Sequence, residues 1–163
     1  MNCFLDRDGV INTDLPYVGK IKDFFWCEYI FDILSCLQRR GYKLILVTNQ
    51  SGIARGYYSL RDFYQLSFYI LNTLDGLGID LEITYCPHGP WDNCFCRKPK
   101  PGMFDRFCLT SQDIMIGNNC SDMEAACTAG IPNRWIISDQ PSGPYTSSFQ
   151  THRSLASHLS VIK

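Results

Sequence analysis

Excess charge is what this 163-residue chain most conspicuously lacks: 15 Lys and Arg stand against 16 Asp and Glu, for a formal net charge of −1. That balance offers no electrostatic footprint for nucleic acid or for an anionic membrane surface. Long apolar runs are missing too, and none approaches the roughly 20 residues that cross a bilayer. The first residues carry neither the basic nor the apolar block of a signal peptide, so a cytoplasmic location is expected. Repeats and linkers are absent, which predicts one domain over 1–163 and, with no feature favouring self-association, a monomer. The 45% hydrophobic and 19% charged residues match a globular protein with room for a core.

Cysteine, in contrast, is abundant, and its number, nine, is odd. Without a secretory signal a disulfide framework is not expected. Cys3, Cys27, Cys36, Cys108, Cys120 and Cys127 lie among apolar neighbours and read as small core residues. Cys86-x-His88 and Cys94-x-Cys96 differ: three thiols and one imidazole within eleven residues match a closed tetrahedral zinc site. With no position open to water such a Zn2+ is structural, a staple for the 89–93 loop, which has no core of its own. His152 and His158, in the polar tail, read as surface residues. Trp26, Trp91 and Trp135 read as packing residues, with Trp91 also placed by its loop within reach of a substrate.

Apolar runs at 3–5, 44–47, 81–85, 113–116 and 134–137 predict strands, and helical periodicity predicts helices over 29–40, 59–74 and 122–129. Ser59 with Asp62 three residues on is a cap, while Gly41 and Gly130 are stops. The tail after Ser138 reads as coil closed by a short helix or coil. Strand and helix alternate, and the strands are apolar throughout. The expected fold is therefore α/β, a Rossmann-like parallel sheet wrapped by helices, with no large cap domain and a zinc-stapled loop. Ligands bind such sheets at the C-terminal ends of the strands.

Those ends carry the chemistry. The first strand runs into Asp6 and Asp8, which can divide nucleophilic attack and proton transfer and together hold a hard cation. A solvated Asp-Gly turn is the plainer alternative. The second ends in Thr48-Asn49-Gln50-Ser51-Gly52, a hydroxyl and a Gly-containing turn suited to an anion, with Arg55 adding a cation. Arg97 and Lys98, tied to the zinc loop, offer a fork and a point charge for phosphate. The fourth ends in Gly117-Asn118-Asn119, with Asp122 beyond. Packing alone does not select such residues at successive strand ends.

Phe4-Leu5-Asp6-Arg7-Asp8-Gly9-Val10-Ile11-Asn12, Val47-Thr48-Asn49-Gln50-Ser51-Gly52-Ile53-Ala54-Arg55-Gly56, Cys86-Pro87-His88 and Cys96-Arg97-Lys98-Pro99-Lys100-Pro101-Gly102-Met103 resemble the motifs of the haloacid dehalogenase superfamily. More narrowly they are similar to its heptose 1,7-bisphosphate 7-phosphatases, relatives of the histidinol-phosphate phosphatases. The resemblance implies Asp6 as nucleophile, Asp8 as general acid and base, and Thr48 and Lys98 as holders of the transferring phosphoryl group. It implies substrate contacts from Asp14, Tyr17, Asn49, Gln50, Ser51, Arg55, Arg97 and Asn119. It also implies catalytic Mg2+ at Asp6, Asp8, Asn118 and Asp122, and Zn2+ at Cys86, His88, Cys94 and Cys96. One departure stands out: Asn118 occupies the place of the family's metal-binding carboxylate, and Asn119 that of a basic residue. The expected function is a Mg2+-dependent phosphomonoesterase acting on a small sugar bisphosphate. The alternatives are the same chemistry on histidinol phosphate, or a phosphosugar-binding relative without turnover.

Overall fold

In the computed structural model, which describes residues 1–161, six strands form one parallel sheet in the order β3-β2-β1-β4-β5-β6. The elements run β1 (Asn2–Leu5), α1 (Ile30–Arg39), β2 (Lys43–Asn49), α2 (Leu60–Asp75), β3 (Leu81–Cys86), β4 (Ile114–Gly117), α3 (Cys120–Ala129), β5 (Asn133–Ile137), β6 (Ser147–Phe149) and α4 (His152–Val161). After β1 the chain builds outward to β3, then returns to place β4 on the other side of β1. The strand order reverses between β1 and β4, so their C-terminal ends diverge around a crevice.

The period of two along each strand sorts side chains onto two faces. Cys3, Leu5, Leu44 and Leu46 join Ile33, Leu34, Leu37, Leu66 and Ile70 in one cluster, under α1 and α2. Phe4, Ile45, Val47 and Met115 join Met123, Ala126 and Phe104 in the other, against α3. Both faces are covered, which is why the central strands read as unbroken apolar runs. α2 starts as expected, Ser59 Oγ accepting from the Asp62 N–H at 3.1 Å and Asp62 Oδ2 accepting from the Ser59 N–H at 2.8 Å.

Several expectations are corrected. The tail contains β6, paired in parallel with β5 through Trp135 and Ser147, where coil was expected, and of the two expected closures, short helix or coil, it takes the helix, the ten-residue α4. β6 has three residues and buries only Phe149, too short for alternation to show. α4 buries Leu155 and Leu159, one turn apart. Its His152 is half-buried, Nε2 lying 2.9 Å from Val10 O, and burial lowers its pKa. Of the six cysteines assigned to the core only Cys3 is fully buried; Cys108 and Cys127 are exposed, Cys127 on the outer face of α3 with Glu124 and Thr128.

The starts of β1 and β4 are tied by one buried carboxylate. Asp113 accepts from Asn2 N at 2.7 Å, Asn2 Nδ2 at 3.1 Å, Thr110 N at 3.0 Å and Thr110 Oγ1 at 2.8 Å. Burial alone would raise its pKa, but these bonds outweigh it and hold the carboxyl below the usual range. Asp113→Asn is expected to cost about 1–3 kcal/mol, read from urea unfolding near neutral pH. Because the folded pKa is depressed, this contribution is present above the unfolded value of about 4 and is lost as pH falls through the folded value. The difference between Asp113→Asn and wild type should therefore shrink on acidification.

Candidate active site

Asp6 extends the β1 ladder by one residue, its N–H donating to Ile116 O at 2.9 Å, so its carboxylate emerges at the mouth of the crevice. The chain then turns at Gly9, whose φ of +85° suits glycine, and a Cβ there would lie 2.0 Å from Asn118 Nδ2. Glycine at this position lets the loop after β1 approach the end of β4. Arg7 folds back beneath the loop, 2% exposed, with Nη2 2.8 Å from Asp8 Oδ1 and donating to Val18 O at 2.5 Å. Asp8 also accepts from Asn12 Nδ2 at 3.0 Å and Gln50 Nε2 at 3.1 Å. Three donors thus fix its orientation.

Lys98 crosses the floor of the site. Its Nζ lies 2.6 Å from Asp6 Oδ1 and 2.6 Å from Asp122 Oδ1, and donates to Val47 O at 2.8 Å. Asp122 is anchored in turn, Oδ2 accepting from the N–H groups of Asn118 and Asn119 at 3.2 and 3.0 Å. Burial pushes Asp6 up to about 7, against the pull of the Lys98 charge, and the Asp122 and Asp8 carboxylates push in the same direction as burial. Burial would lower Lys98, but Asp122 and Asp6 more than offset it. Three carboxylates, Asp6, Asp8 and Asp122, face one ammonium and one guanidinium, leaving negative charge for a further cation.

The amides at the end of β2 act on the site's own groups. Asn49 pairs with the Lys98 backbone in both directions, each bond 3.0 Å, and so sets where the lysine stem begins. Gln50, 2% exposed, donates from Nε2 to Thr48 Oγ1 at 2.7 Å and accepts the Tyr58 hydroxyl at 2.6 Å. With Gln50 supplying its donor, the Thr48 hydroxyl can direct its own proton to an acceptor in the crevice. Asn49 and Gln50 thus make positioning bonds to groups of the site itself. Ser121 and Tyr58 carried no sequence signal as site residues, and Arg7 and Asn12 lay within the first motif with no role assigned to them. Tyr58 packs where Gly19 and Gly52 lack a Cβ, a spacing that no motif announces.

A chamber of about 150 Å³ at the strand ends is lined by Asp6, Asp8, Asp14, Thr48, Asn49 and Lys98, and by Asn119, Ser121 and Asp122 from the α3 side. A neighbouring cavity of about 340 Å³ shares Asp8, Asp14 and Asn49 and adds Tyr17, Gln50 and Ser51. Asn118 lies apart, along a third cavity of about 600 Å³ with Gly9 and His152. Its Nδ2 donates to Asp14 Oδ2 at 3.2 Å and its Oδ1 accepts from Asn119 Nδ2 at 2.9 Å. Arg97 turns toward the Cys86–Cys96 segment, Nη1 3.4 Å from His88 O, and Arg55 is exposed.

The ligand atoms of Cys86, His88, Cys94 and Cys96 all lie within 4.8 Å of one another. The Cys86 sulfur is 3.5 Å from that of Cys94 and 3.3 Å from that of Cys96, and His88 Nδ1 is 3.3 Å from Cys96 Sγ. Burial raises the Cys86 thiol well above its ordinary pKa. Crowding three thiols and an imidazole this closely suits a cation that binds them deprotonated.

A family profile described as polynucleotide kinase 3 phosphatase matches residues 8–127. A D-glycero-beta-D-manno-heptose-1,7-bisphosphate 7-phosphatase of Helicobacter pylori is 45% identical over 146 residues, covering 85% of this chain and 84% of that protein. A D-glycero-alpha-D-manno-heptose-1,7-bisphosphate 7-phosphatase of Campylobacter jejuni is 45% identical over 143 residues, covering 84% and 82%. Among solved structures, D,D-heptose 1,7-bisphosphate phosphatase from B. bronchiseptica, complexed with magnesium and phosphate, superposes with a TM-score of 0.85 at 28% identity over 98% of each chain.

Metal analysis of the purified chain is expected to find about one zinc per molecule, as a four-ligand thiolate and imidazole site requires. Cys94→Ser should release it and lower the melting temperature, since the loop has little apolar packing of its own.

Proposed function

The chain belongs to the heptose 1,7-bisphosphate 7-phosphatases, phosphoric monoester hydrolases of the haloacid dehalogenase type, and from that membership we propose that it removes the 7-phosphate of D-glycero-D-manno-heptose 1,7-bisphosphate through an aspartyl-phosphate on Asp6, with Mg2+ as cofactor. The observation that carries this reading is the Asp6–Lys98–Asp122 array at the mouth of the β1/β4 crevice, with Asp8 beside it. Zn2+ at Cys86, His88, Cys94 and Cys96 would be structural.

A carboxylate oxygen of Asp6 attacks phosphorus and the bond from phosphorus to the sugar O7 breaks. Asp8 gives its proton to the departing alkoxide. Asp8 then takes a proton from water as that water attacks the phosphorus of the acyl phosphate, which frees Asp6 and releases inorganic phosphate. The Thr48 hydroxyl holds a phosphoryl oxygen through transfer, and the Lys98 ammonium, its three N–H groups directed to Asp6, Asp122 and Val47 O, offsets the phosphoryl charge from its fixed place. The bonds from Arg7, Asn12 and Gln50 keep Asp8 aimed at the leaving oxygen.

Asp6 and Asp8, which line one chamber, would supply carboxylate oxygens to a hard divalent cation, and Asn118 would add an amide oxygen on leaving its bond to Asn119. Mg2+, when bound, offsets the repulsion between the nucleophilic carboxylate and the phosphate dianion. Asp122 serves Lys98 first. Asn118 contributes an oxygen but no charge, so metal affinity is lower than an aspartate there would give.

The test is phosphate release from heptose 1,7-bisphosphate and from histidinol phosphate across a Mg2+ titration. Turnover of the heptose compound is expected, and turnover of histidinol phosphate alone would overturn the substrate assignment. Asp6→Asn should abolish release while circular dichroism stays native; an active variant would sink the mechanism. Asn118→Asp should lower the half-saturating Mg2+ concentration about tenfold, because it adds a charged ligand to the cation.

A further inference from the structure

Three loops that follow three different strands meet at one guanidinium. Arg55, in the turn after β2, lies 5.0 Å from the Trp91 ring centroid and 5.8 Å from that of Tyr17. Tyr17 belongs to the loop after β1 and packs 4.4 Å from Tyr57, while Trp91 belongs to the short 3-10 turn Pro90–Asp92 that follows β3. Among the described residues no carboxylate pairs with the Arg55 side chain and no hydrogen bond engages it. The other cations near the chambers are occupied: Arg7 by Asp8, Lys98 by Asp6 and Asp122, Arg97 by His88 O, Lys100 by Asn93. Stacking on rings leaves the in-plane N–H groups of a guanidinium free for an oxyanion.

The placement of this cation matters. Tyr17 lines the 340 Å³ cavity that adjoins the nucleophile's chamber through Asp8, Asp14 and Asn49. A sugar whose reacting phosphate sits at Asp6 would extend along that cavity toward the rim where Arg55 is held. The Trp91 ring is itself fixed, because it lies over Gly89, where a Cβ would come within 2.5 Å of Trp91 Cε2. Gly89 N donates to Asp92 Oδ2 at 2.7 Å, and His88 of the metal-binding group is the next residue back.

We propose that Arg55 binds the second, non-transferring phosphate of a sugar bisphosphate, and that Trp91 is the positioning residue that aims it. The assignment rests on the bisphosphatase reading above and deepens it. Trp91 is 59% exposed, so its truncation does not open the core.

The experiment is calorimetric binding of heptose 1,7-bisphosphate and of heptose 7-phosphate to the Asp6→Asn variant, which leaves the ligand unreacted, with zinc content checked for each protein. Trp91→Ala is expected to weaken the bisphosphate about three- to tenfold, the range of one or two ring–cation contacts, and to move the monophosphate by less than about twofold. Trp91→Phe, which keeps a flat face, should recover most of the loss, and Gly89→Ala, which pushes the ring away, should reproduce it. Once Arg55 is alanine, Trp91→Ala should add nothing further. Equal losses for both ligands, no loss for either, or additive effects of the two alanines would overturn the proposal. Phosphate release by the wild type is a separate readout. Release without any Trp91-dependent preference keeps the enzyme and removes this clamp, whereas the preference without release does the reverse.

Discussion

The ammonium of Lys98, buried between Asp6 and Asp122, is the contact on which the rest of the site depends. Its three anchors come from separate parts of the chain: Asp6 at the end of β1, Val47 O in β2, and Asp122 in the first turn of α3. Taking such charges out of water is costly, and removing one partner of a buried pair typically costs about 3–5 kcal/mol because the others are stranded. The array persists because Asp122 and Lys98 are each held by further bonds. Asp122 is bonded by two backbone N–H groups, the Lys98 backbone is clasped by Asn49, and Lys98 Nζ has Val47 O as a third acceptor. The arrangement is rigid before any substrate arrives, as electrostatic catalysis requires.

Around that array, the polar residues form layers. Asp8 is aimed by Arg7, Asn12 and Gln50; Gln50 is aimed by Tyr58; Tyr58 has its place because Gly19 and Gly52 leave room for its ring. A substitution in the turn after β2, far from Asp6, can thus alter the orientation of Asp8.

Much of this was legible in the sequence for definite physical reasons. The apolar runs of β1 and β2 read as buried strands because both sheet faces are covered, and the Ser59–Asp62 cap appears where it was expected. The Cys86, His88, Cys94 and Cys96 set is close in sequence, so its convergence needs only a short loop. Other features were hidden. β6 is too short to show a period, and whether Cys127 faces in or out is settled by one helical step from Ala126. Amides at a strand end announce a site but not the direction in which they point. Asn49 and Gln50 face the protein's own lysine, hydroxyl and carboxylate, and a motif cannot report that. Asn118 was visible as a departure, while its bond to Asp14 was not.

The position of β1 at the middle of the sheet also sets a timetable. The strand bearing Asp6 is made first, yet one of its two neighbours, β4, is among the later strands, and the Asp113 that ties them is 111 residues from Asn2. Lys98 follows Asp6 by 92 residues. On a chain synthesised from its N-terminus, Asp6 emerges long before the lysine that neutralises it, and contacts of such sequence separation form slowly. For that interval the Asp6 carboxylate stands in water, without the buried partners that later surround it.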